Sequence, residues 1–301
     1  MSELTTTAPV VASDGADAPL TTDSALGLTA ESLTPTQLAY RRFKQHKAAV
    51  VSVFVLAIMV LFVVLSPLTA RYGVNQAIFK STAGRPNTFL SPRSEAWFGT
   101  DDIGRDLYSR LIYGLKVSLL IGLASAILST LLGIAVGAYA AVRGGWFDDM
   151  MMRLTDLFLS FPFLVALLVT RQAIGAIPWL KPIVGDLSSI RFVIFLFVLF
   201  GWMGVARLVR GQVLALRERE FVEASRALGA GQLRIITRHL IPNSIGPILV
   251  AATNGVAGAV IGESTLSFFG YGPQPGAGQT SLGLLVKEAK EKIQSGFWWI
   301  A

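Results

Sequence analysis

The chain has 301 residues, of which 52% are hydrophobic and only 15% are charged, and its mean hydropathy is +0.57. A soluble domain of this length needs a more polar surface, so much of this surface is expected to face lipid. The formal charge of +7 comes from basic residues that flank apolar runs, which indicates anchoring to anionic headgroups rather than nucleic-acid binding. There are no cysteines and only two histidines, so disulfides and thiol catalysis are excluded and a metal centre is not expected.

The N-terminal part of the chain combines a polar tail with a first apolar run. Residues 1–40 are rich in Thr, Ala, Ser and Asp and contain no Lys or Arg, which is typical of a disordered acidic tail. They lack the basic and apolar regions of a signal peptide. In the segment 41–66, four basic residues lead into the uncharged run from Ala48 to Leu65. At about 1.5 Å per residue this run covers about 27 Å, which is enough for a first transmembrane helix.

The remainder of the chain alternates between polar and apolar segments. Residues 67–114 are polar and form a predicted external loop, and residues 115–301 form a predicted transmembrane core. Four apolar runs in the core predict further spans: Val117–Val142, Leu154–Thr170 with a kink at Pro162, Phe192–Ala206 and Asn243–Gly262. The first of these four runs carries small residues that predict close helix packing: Gly122, Ala126, Thr130, Gly133 and Gly137.

The last residues, Phe297 to Ala301, resemble the interfacial start of a sixth span, which we expect to be cut off here. The sequence therefore predicts an all-α fold, a polytopic membrane helix bundle of about six spans with the last one truncated. Basic residues cluster before the first span, and seven Arg face three Glu between Arg207 and Arg238. The positive-inside rule places both segments in the cytoplasm, and with them the N-terminus.

One polar segment, residues 220–242, lies between two long apolar runs. A short helix is predicted through Glu223, and Gly229 ends it where a left-handed residue turns the chain. A second amphipathic stretch, Leu233 to Leu240, then leads to Pro242. Such a helix-turn-helix is a shape that another protein can bind. The alternative is a basic amphipathic loop that lies on anionic lipid.

Two motifs give the chain a resemblance to a known family. The first motif is Glu223-Ala224-Ser225, then Gly229, nine residues, and His239-Leu240-Ile241-Pro242. It resembles the EAA loop of ABC importer permeases, and it departs from that pattern at Ser225 and His239. The segment from Phe98 to Arg110 is similar to the GTDxxGRDxxSR segment of the dipeptide, oligopeptide and nickel permeases. With the stretch 34–47 and the Arg-Gly-Gln run at 210–212, the match is to the second, C-type subunit, over residues 34–301.

The resemblance implies the transmembrane-domain fold of type I ABC importers and a permease subunit in the bacterial cytoplasmic membrane. It implies a second, different permease subunit, two P-loop ATPases on the cytoplasmic side and an external substrate-binding protein. The chain contains no GxxxxGK[ST] motif, so ATP and Mg are expected on the ATPases, and this subunit is expected to be no enzyme and to hold no cofactor. The implied cargo is a di- or oligopeptide, with nickel or another small solute as the alternative.

The resemblance also implies a role for the loop at 212–242, which would couple this subunit to an ATPase. The residues that match or adjoin the motif are the candidate coupling contacts: Glu223, Ala224, Ser225, Arg226, Gly229, Arg234 and Pro242.

Two further groups of charged residues are candidate sites. The segment from Gly99 to Arg110, which we call the outer segment, is a possible external gate or docking element, through Asp101, Asp102, Gly104, Arg105 and Asp106. The alternative is a network that stabilises the fold, in which the three aspartates pair with Arg105 and Arg110. Glu263, at the outer end of the fifth span, is a candidate for lining the translocation path, and the alternatives are a headgroup-level position or a pair with an outer Arg.

Two other classes of protein are weighed against a permease. An intramembrane enzyme would need a serine with a base, a zinc motif or paired aspartates, and neither GxSxG nor HExxH occurs. A secondary transporter would carry an internal repeat and buried charge relays, and no repeat is visible.

Overall fold

The computed structural model describes residues 35–78, 88–274 and 279–300, which form helices, turns and three isolated β-bridges. Almost all of the predicted acidic tail, 1–40, lies outside the described residues. The chain divides into one unit that ends at Ala57 and a second that begins at Ile58. Helix α1 (Pro35–Gln45) belongs to the first unit, and α2 (Lys47–Val64) crosses the boundary. Because α2 is apolar all round, it matches the predicted first span.

The second unit is organised around three long helices. After the short α3 (Ser66–Thr69), these are α4 (Leu107–Arg143), α8 (Ile190–Leu216) and α12 (Ile245–Phe268). Together with α2 they are the four helices of the described residues that are long and apolar enough to cross a membrane. All three exceed their predicted lengths, because the helices continue beyond the apolar run into charged residues that have partners.

Helix α4 begins at a side-chain cap. The Asp106 carboxylate accepts hydrogen bonds from the backbone nitrogen of Ser109 at 2.9 Å and from its hydroxyl at 2.7 Å. This satisfies one of the free N–H groups of the first turn, and a carboxylate is also favoured at that end of the helix dipole. The cap fixes the start of α4 at the end of the outer segment.

The small residues of α4 allow close contact with its neighbours, as predicted. A Cβ atom built on Gly137 would lie 2.3 Å from the carbonyl oxygen of Ala206 in α8. A Cβ atom on Gly122 would lie 2.5 Å from Cγ2 of Val260 in α12. Glycine is therefore required where the helices cross, and the main apolar core forms at these crossings.

The predicted third span is divided into two helices. Helices α5 (Gly145–Leu159) and α6 (Phe163–Gly175) meet at an angle of 98°, with Pro162 directly before α6. Proline lacks the N–H that would continue the ladder, so the break lies where the kink was predicted. If this bent pair counts as one span, the described residues contain five spans.

The C-terminal part shows no sixth span within the described residues. The short α7 (Lys181–Val184) lies between α6 and α8, and α13 (Leu282–Ile293) follows α12. Helix α13 has only 12 residues and carries Lys290 and Lys292 in its last turn, and Trp298–Ile300 forms a single 3-10 turn. The architecture is a polytopic all-α bundle, as predicted.

Candidate functional site: the 212–242 loop and two buried polar networks

The loop between α8 and α12 is a compact helical hairpin. Helix α9 (Glu220–Ala227) starts shortly after α8, and α10 (Gln232–Ile235) follows the turn. A π-turn (Ile236–Leu240) and the short α11 (Ile241–Asn243) then lead directly into α12. Pro242 lies in α11, directly after the π-turn. It has no backbone N–H to donate, and the regular α-helical hydrogen bonds are already interrupted at this point. The hairpin is therefore joined to α8 by a turn at residues 217–219 and to α12 by short helical segments.

Gly229 makes the turn of the hairpin. Its φ angle is +81°, and no atom lies within 4 Å of the position that a Cβ atom would take. Its backbone N–H donates to the carbonyl of Arg226 at 2.9 Å, and the N–H of Ala230 donates to the carbonyl of Ser225 at 3.0 Å. These are the two bonds of a Schellman motif. The left-handed backbone alone, and not a lack of space, therefore requires glycine here.

The hairpin is attached to the bundle by its apolar side chains. Val222, Ile235, Ile236 and Leu240 are buried and share a core with residues near the C-terminal ends of α4 and α8. We call these four residues the anchor residues. Because they belong to both arms of the hairpin, both arms are packed against the spans.

The opposite side of the hairpin is exposed. Leu228 and Leu233 are 89% and 75% exposed, which is unusual for side chains of this size. Most of the predicted coupling residues are also exposed, and Ser225 is half-buried. The exposed ones are Glu223, Ala224, Arg226, Gly229, Arg234 and Pro242. An apolar patch with both signs of charge around it is thus available for a partner.

The two departures from the family pattern lie against each other. The Ser225 hydroxyl lies 3.4 Å from Nε2 of His239 and donates a hydrogen bond to the carbonyl of Phe221 at 2.8 Å. The polar side chain of Ser225 in one arm is therefore matched by the polar side chain of His239 in the other arm. The contact between Ser225 and His239 was not predicted, because the two residues are 14 positions apart in the sequence.

Two ion pairs that the sequence did not predict hold α5 against α8. The Arg210 guanidinium binds both oxygens of Asp148, each at 2.6 Å, and Arg207 pairs with Asp156. Asp156 lies in the last turn of α5. These pairs precede the hairpin on the same helix, α8, and explain why that helix continues past Ala206.

The outer segment forms a buried charge network. Asp101 accepts from Nε of Arg105 at 2.6 Å and from Nη1 of Arg110 at 2.7 Å. Arg110 is 1% exposed and also binds both oxygens of Glu288 in α13, at 2.6 and 3.0 Å. Glu288 was missed because nothing in the sequence relates it to a residue 178 positions away. We call these four residues the outer network.

The other predicted members of the outer segment lie beside this network. Asp106 caps α4 and pairs with no arginine of the described residues, contrary to the pairing scheme considered above. Asp102 has a side chain that is 51% exposed, and its Oδ1 lies 3.9 Å from Nη2 of Arg105. Gly104 has a φ angle of +77° and shapes the turn before Arg105.

Glu263 belongs to a second buried polar network. It is 0% exposed and accepts hydrogen bonds from the hydroxyls of Ser118 at 2.7 Å and Ser267 at 2.5 Å. Ser281, which caps α13, donates to the Ser267 hydroxyl at 3.0 Å. Glu263 lies within α12 rather than at its end, and none of the ion pairs of the described residues includes it. In this conformation the carboxylate joins α4, α12 and α13 and faces no open cavity.

Replacing Glu263 by leucine is expected to lower the free energy of unfolding by about 2–3 kcal/mol, because it leaves the buried hydroxyls of Ser118 and Ser267 without an acceptor. Glu263→Gln keeps one acceptor and is expected to cost about 1 kcal/mol. Thermal unfolding of the purified protein in detergent measures the difference. A Glu263→Leu protein that melts at the same temperature as the unsubstituted protein would show that the network contributes no stability.

Taken together, these features define a class of protein: an integral membrane protein whose spans α8 and α12 are joined by an exposed, anchored helical hairpin. The family described as "Binding-protein-dependent transport system inner membrane component" matches residues 133–299. The N-terminal TM domain of oligopeptide transport permease C matches residues 34–92.

Two permeases of Bacillus subtilis agree with both matches. The dipeptide transport system permease protein DppC of Bacillus subtilis is 35% identical over 89% of this chain and 78% of its own. The oligopeptide transport system permease protein OppC of the same organism is 33% identical over 82% of this chain and 76% of its own. An inward-facing structure of the MetNI methionine ABC transporter covers 62% of this chain and 82% of its own, with a TM-score of 0.48 and 22% identity.

The chain therefore belongs to the family of binding-protein-dependent inner-membrane transport components. It is a membrane permease subunit of an ABC transporter and works with other subunits of such a transporter.

Proposed function

We propose that this chain is the permease subunit of an ATP-driven importer of di- and oligopeptides and forms half of its translocation path. The observation that carries the proposal is the anchored hairpin with its exposed face, in a chain whose relatives are named as dipeptide and oligopeptide permeases. The alternative cargo is nickel or another small solute. A secondary transporter is the alternative in a different class.

The proposed complex contains a second, different permease subunit, two P-loop ATPases and an external binding protein. The chain has no GxxxxGK[ST] motif, so ATP and Mg would be bound and hydrolysed by the ATPases. In this proposal the subunit is a multi-pass protein of the bacterial cytoplasmic membrane with a cytoplasmic N-terminus. The excess of Arg over Glu between Arg207 and Arg238 supports a cytoplasmic hairpin.

The proposed mechanism follows from the attachments of the hairpin. When the ATPases close around ATP, each would move the exposed side of one hairpin. The Schellman turn at Gly229 keeps the two arms together, and the anchor residues transmit the displacement to the inner ends of α4 and α8. The bundle would then change which side of the membrane the path opens to.

Uptake by the reconstituted complex tests the proposal. Proteoliposomes that hold both permeases and the ATPases, with ATP inside and binding protein outside, are expected to accumulate a radiolabelled dipeptide. Accumulation of nickel instead would favour the alternative cargo. Uptake that is driven by an ion gradient without the ATPases would support a secondary transporter and overturn the proposal.

Charge reversal at Glu223 is expected to weaken ATPase binding by about tenfold, which corresponds to about 1.4 kcal/mol. Glu223 is exposed on α9 and takes part in none of the ion pairs of the described residues, so its carboxylate is available to a partner. Affinity capture of the ATPase with Glu223→Arg measures the effect. Glu218→Arg is the control, since the Glu218 side chain is 79% exposed and lies before α9. Equal losses in the two variants would show that only general charge matters.

A further inference from the structure

The side of α12 that faces away from the bundle carries an amide side chain, Asn254, without a hydrogen-bond partner among the described residues. Asn254 is exposed, and its side chain makes no hydrogen bond within the part of the chain that the structure describes. The hydroxyl of its neighbour Thr253, in contrast, bonds to the carbonyls of Leu249 at 3.1 Å and Val250 at 2.9 Å. Asn254 lies about 14 Å along a 24-residue helix, close to the middle of the bilayer. A carboxamide that faces lipid at this depth loses its hydrogen bonds with water, so this face is expected to contact water or a polar partner.

A cavity adjoins this face. It has a volume of about 260 Å³, and its lining includes Gly255 and Gly258, which follow Asn254 on α12. Ser125 of α4 also lines the cavity and is 1% exposed, and its hydroxyl has no hydrogen-bond partner among the described residues. Phe163 and Phe197 supply apolar walls. A lipid chain would leave the Ser125 hydroxyl unsatisfied, whereas a ligand with polar groups would not.

The two observations indicate one kind of ligand. The carboxamide of Asn254 can both donate and accept, which matches the N–H and C=O of a peptide backbone. The cavity is mostly apolar, has no charged residue in its described lining and is large enough for one side chain. Glycines at its edge leave room for a backbone to approach closely.

We propose that the exposed face of α12 at Asn254 lines the peptide path. The Asn254 carboxamide hydrogen-bonds the backbone of the cargo, and the adjoining cavity accepts one uncharged side chain, with the Ser125 hydroxyl bonding a polar group of the cargo. This assignment rests on the proposed function and specifies where the cargo binds in this subunit.

Cysteine accessibility tests the assignment, because the chain contains no cysteine of its own. Asn254→Cys in the assembled, reconstituted transporter is expected to react with a charged, membrane-impermeant methanethiosulfonate reagent, and a dipeptide with binding protein is expected to slow the reaction. The control is Ile127→Cys, since Ile127 is 56% exposed near the middle of α4 and would face lipid. Labelling is measured on this chain by mass spectrometry. The assignment would be overturned if the Asn254→Cys variant did not react, or if it reacted only as fast as Ile127→Cys and without any effect of peptide.

A second pair of variants tests the cavity. No atom lies within 4 Å of a Cβ atom built on Gly258 or on Gly246, so a side chain can begin at both positions of α12 without a clash. Gly258→Leu is expected to reduce uptake of a phenylalanine-containing dipeptide about tenfold more than uptake of dialanine, because it fills the edge of the cavity. Gly246→Leu is expected to leave this ratio unchanged. Equal losses for both peptides in Gly258→Leu would contradict the side-chain pocket.

These outcomes are separable from failure of the proposed function. If the unsubstituted complex imports peptides in an ATP-dependent manner but the Asn254→Cys variant is not labelled, the path assignment fails and the importer stands. If the complex imports no peptide, the importer itself fails.

Discussion

Gly229→Val is expected to reduce ATP-driven uptake more than tenfold while the chain still inserts into the membrane. A β-branched residue in the left-handed region costs about 2 kcal/mol or more, and the cost is confined to the turn. Both Schellman bonds depend on this conformation, so the two arms of the hairpin would lose their fixed angle. The anchor residues would still hold each arm, and the spans would remain intact. Uptake and ATPase activity of the reconstituted complex measure the loss of coupling.

Gly231→Val is the matched control for this variant. Gly231 is also exposed and has no atom within 4 Å of a built Cβ atom, but its φ angle is −68°. It therefore tolerates a side chain and is expected to keep most of the uptake. If Gly229→Val transports as well as Gly231→Val, the rigid turn has no part in coupling. If both variants fail equally, the added side chain and not the backbone angle is responsible.

Arg110→Leu is expected to destabilise the protein by about 3–5 kcal/mol, because it leaves two carboxylates of a buried network without their common cation. Asp101 keeps only Arg105, and Glu288 loses both of its hydrogen bonds to Arg110. The connection between the outer segment and α13 would therefore be weakened, since Arg105 lies at 3.9 Å from Glu288 and is too far away to replace Arg110. A large fall in melting temperature of the purified complex, or failure to assemble it, is the expected result.

Asp102→Asn provides the comparison for the outer network. Its half-exposed carboxylate interacts only at 3.9 Å with Arg105, so its removal is expected to cost less than about 1 kcal/mol. An Arg110→Leu protein that melts at the same temperature as Asp102→Asn would show that the buried network is not a stabilising element. Normal stability with defective capture of the binding protein would instead favour the docking interpretation of this segment.

The sequence predicted those parts of the structure that depend on local pattern. Apolar runs identified the long spans, Pro162 marked the break between α5 and α6, and the small residues of α4 predicted its contacts. The spacing around Gly229 predicted the hairpin turn, since only a few residues are needed to specify it. Each of these features is encoded within one helix or one turn.

What the sequence did not predict depends on contacts between distant segments. Glu288 could not be associated with Arg110, and the angle of 98° between α5 and α6 could not be derived from the proline alone. The pair of Asp156 and Arg207 was not predicted, because the two residues lie in different helices. The carboxylate of Glu263 ended the apolar run and so the predicted span, although three serines make it compatible with a helix interior.

Helix α4 gives the bundle one further mechanical property. Its 37 residues form an unbroken rod about 55 Å long. The rod carries Arg110 of the outer network at one end, Ser118 of the Glu263 network further along, and contacts to the anchor residues at the other end. Such a rod acts as a lever, so a tilt of about 10° around its midpoint would move each end by about 5 Å in opposite directions. Displacement of the hairpin on one side of the membrane would thus displace Arg110 of the outer network on the other side, without any hinge between them.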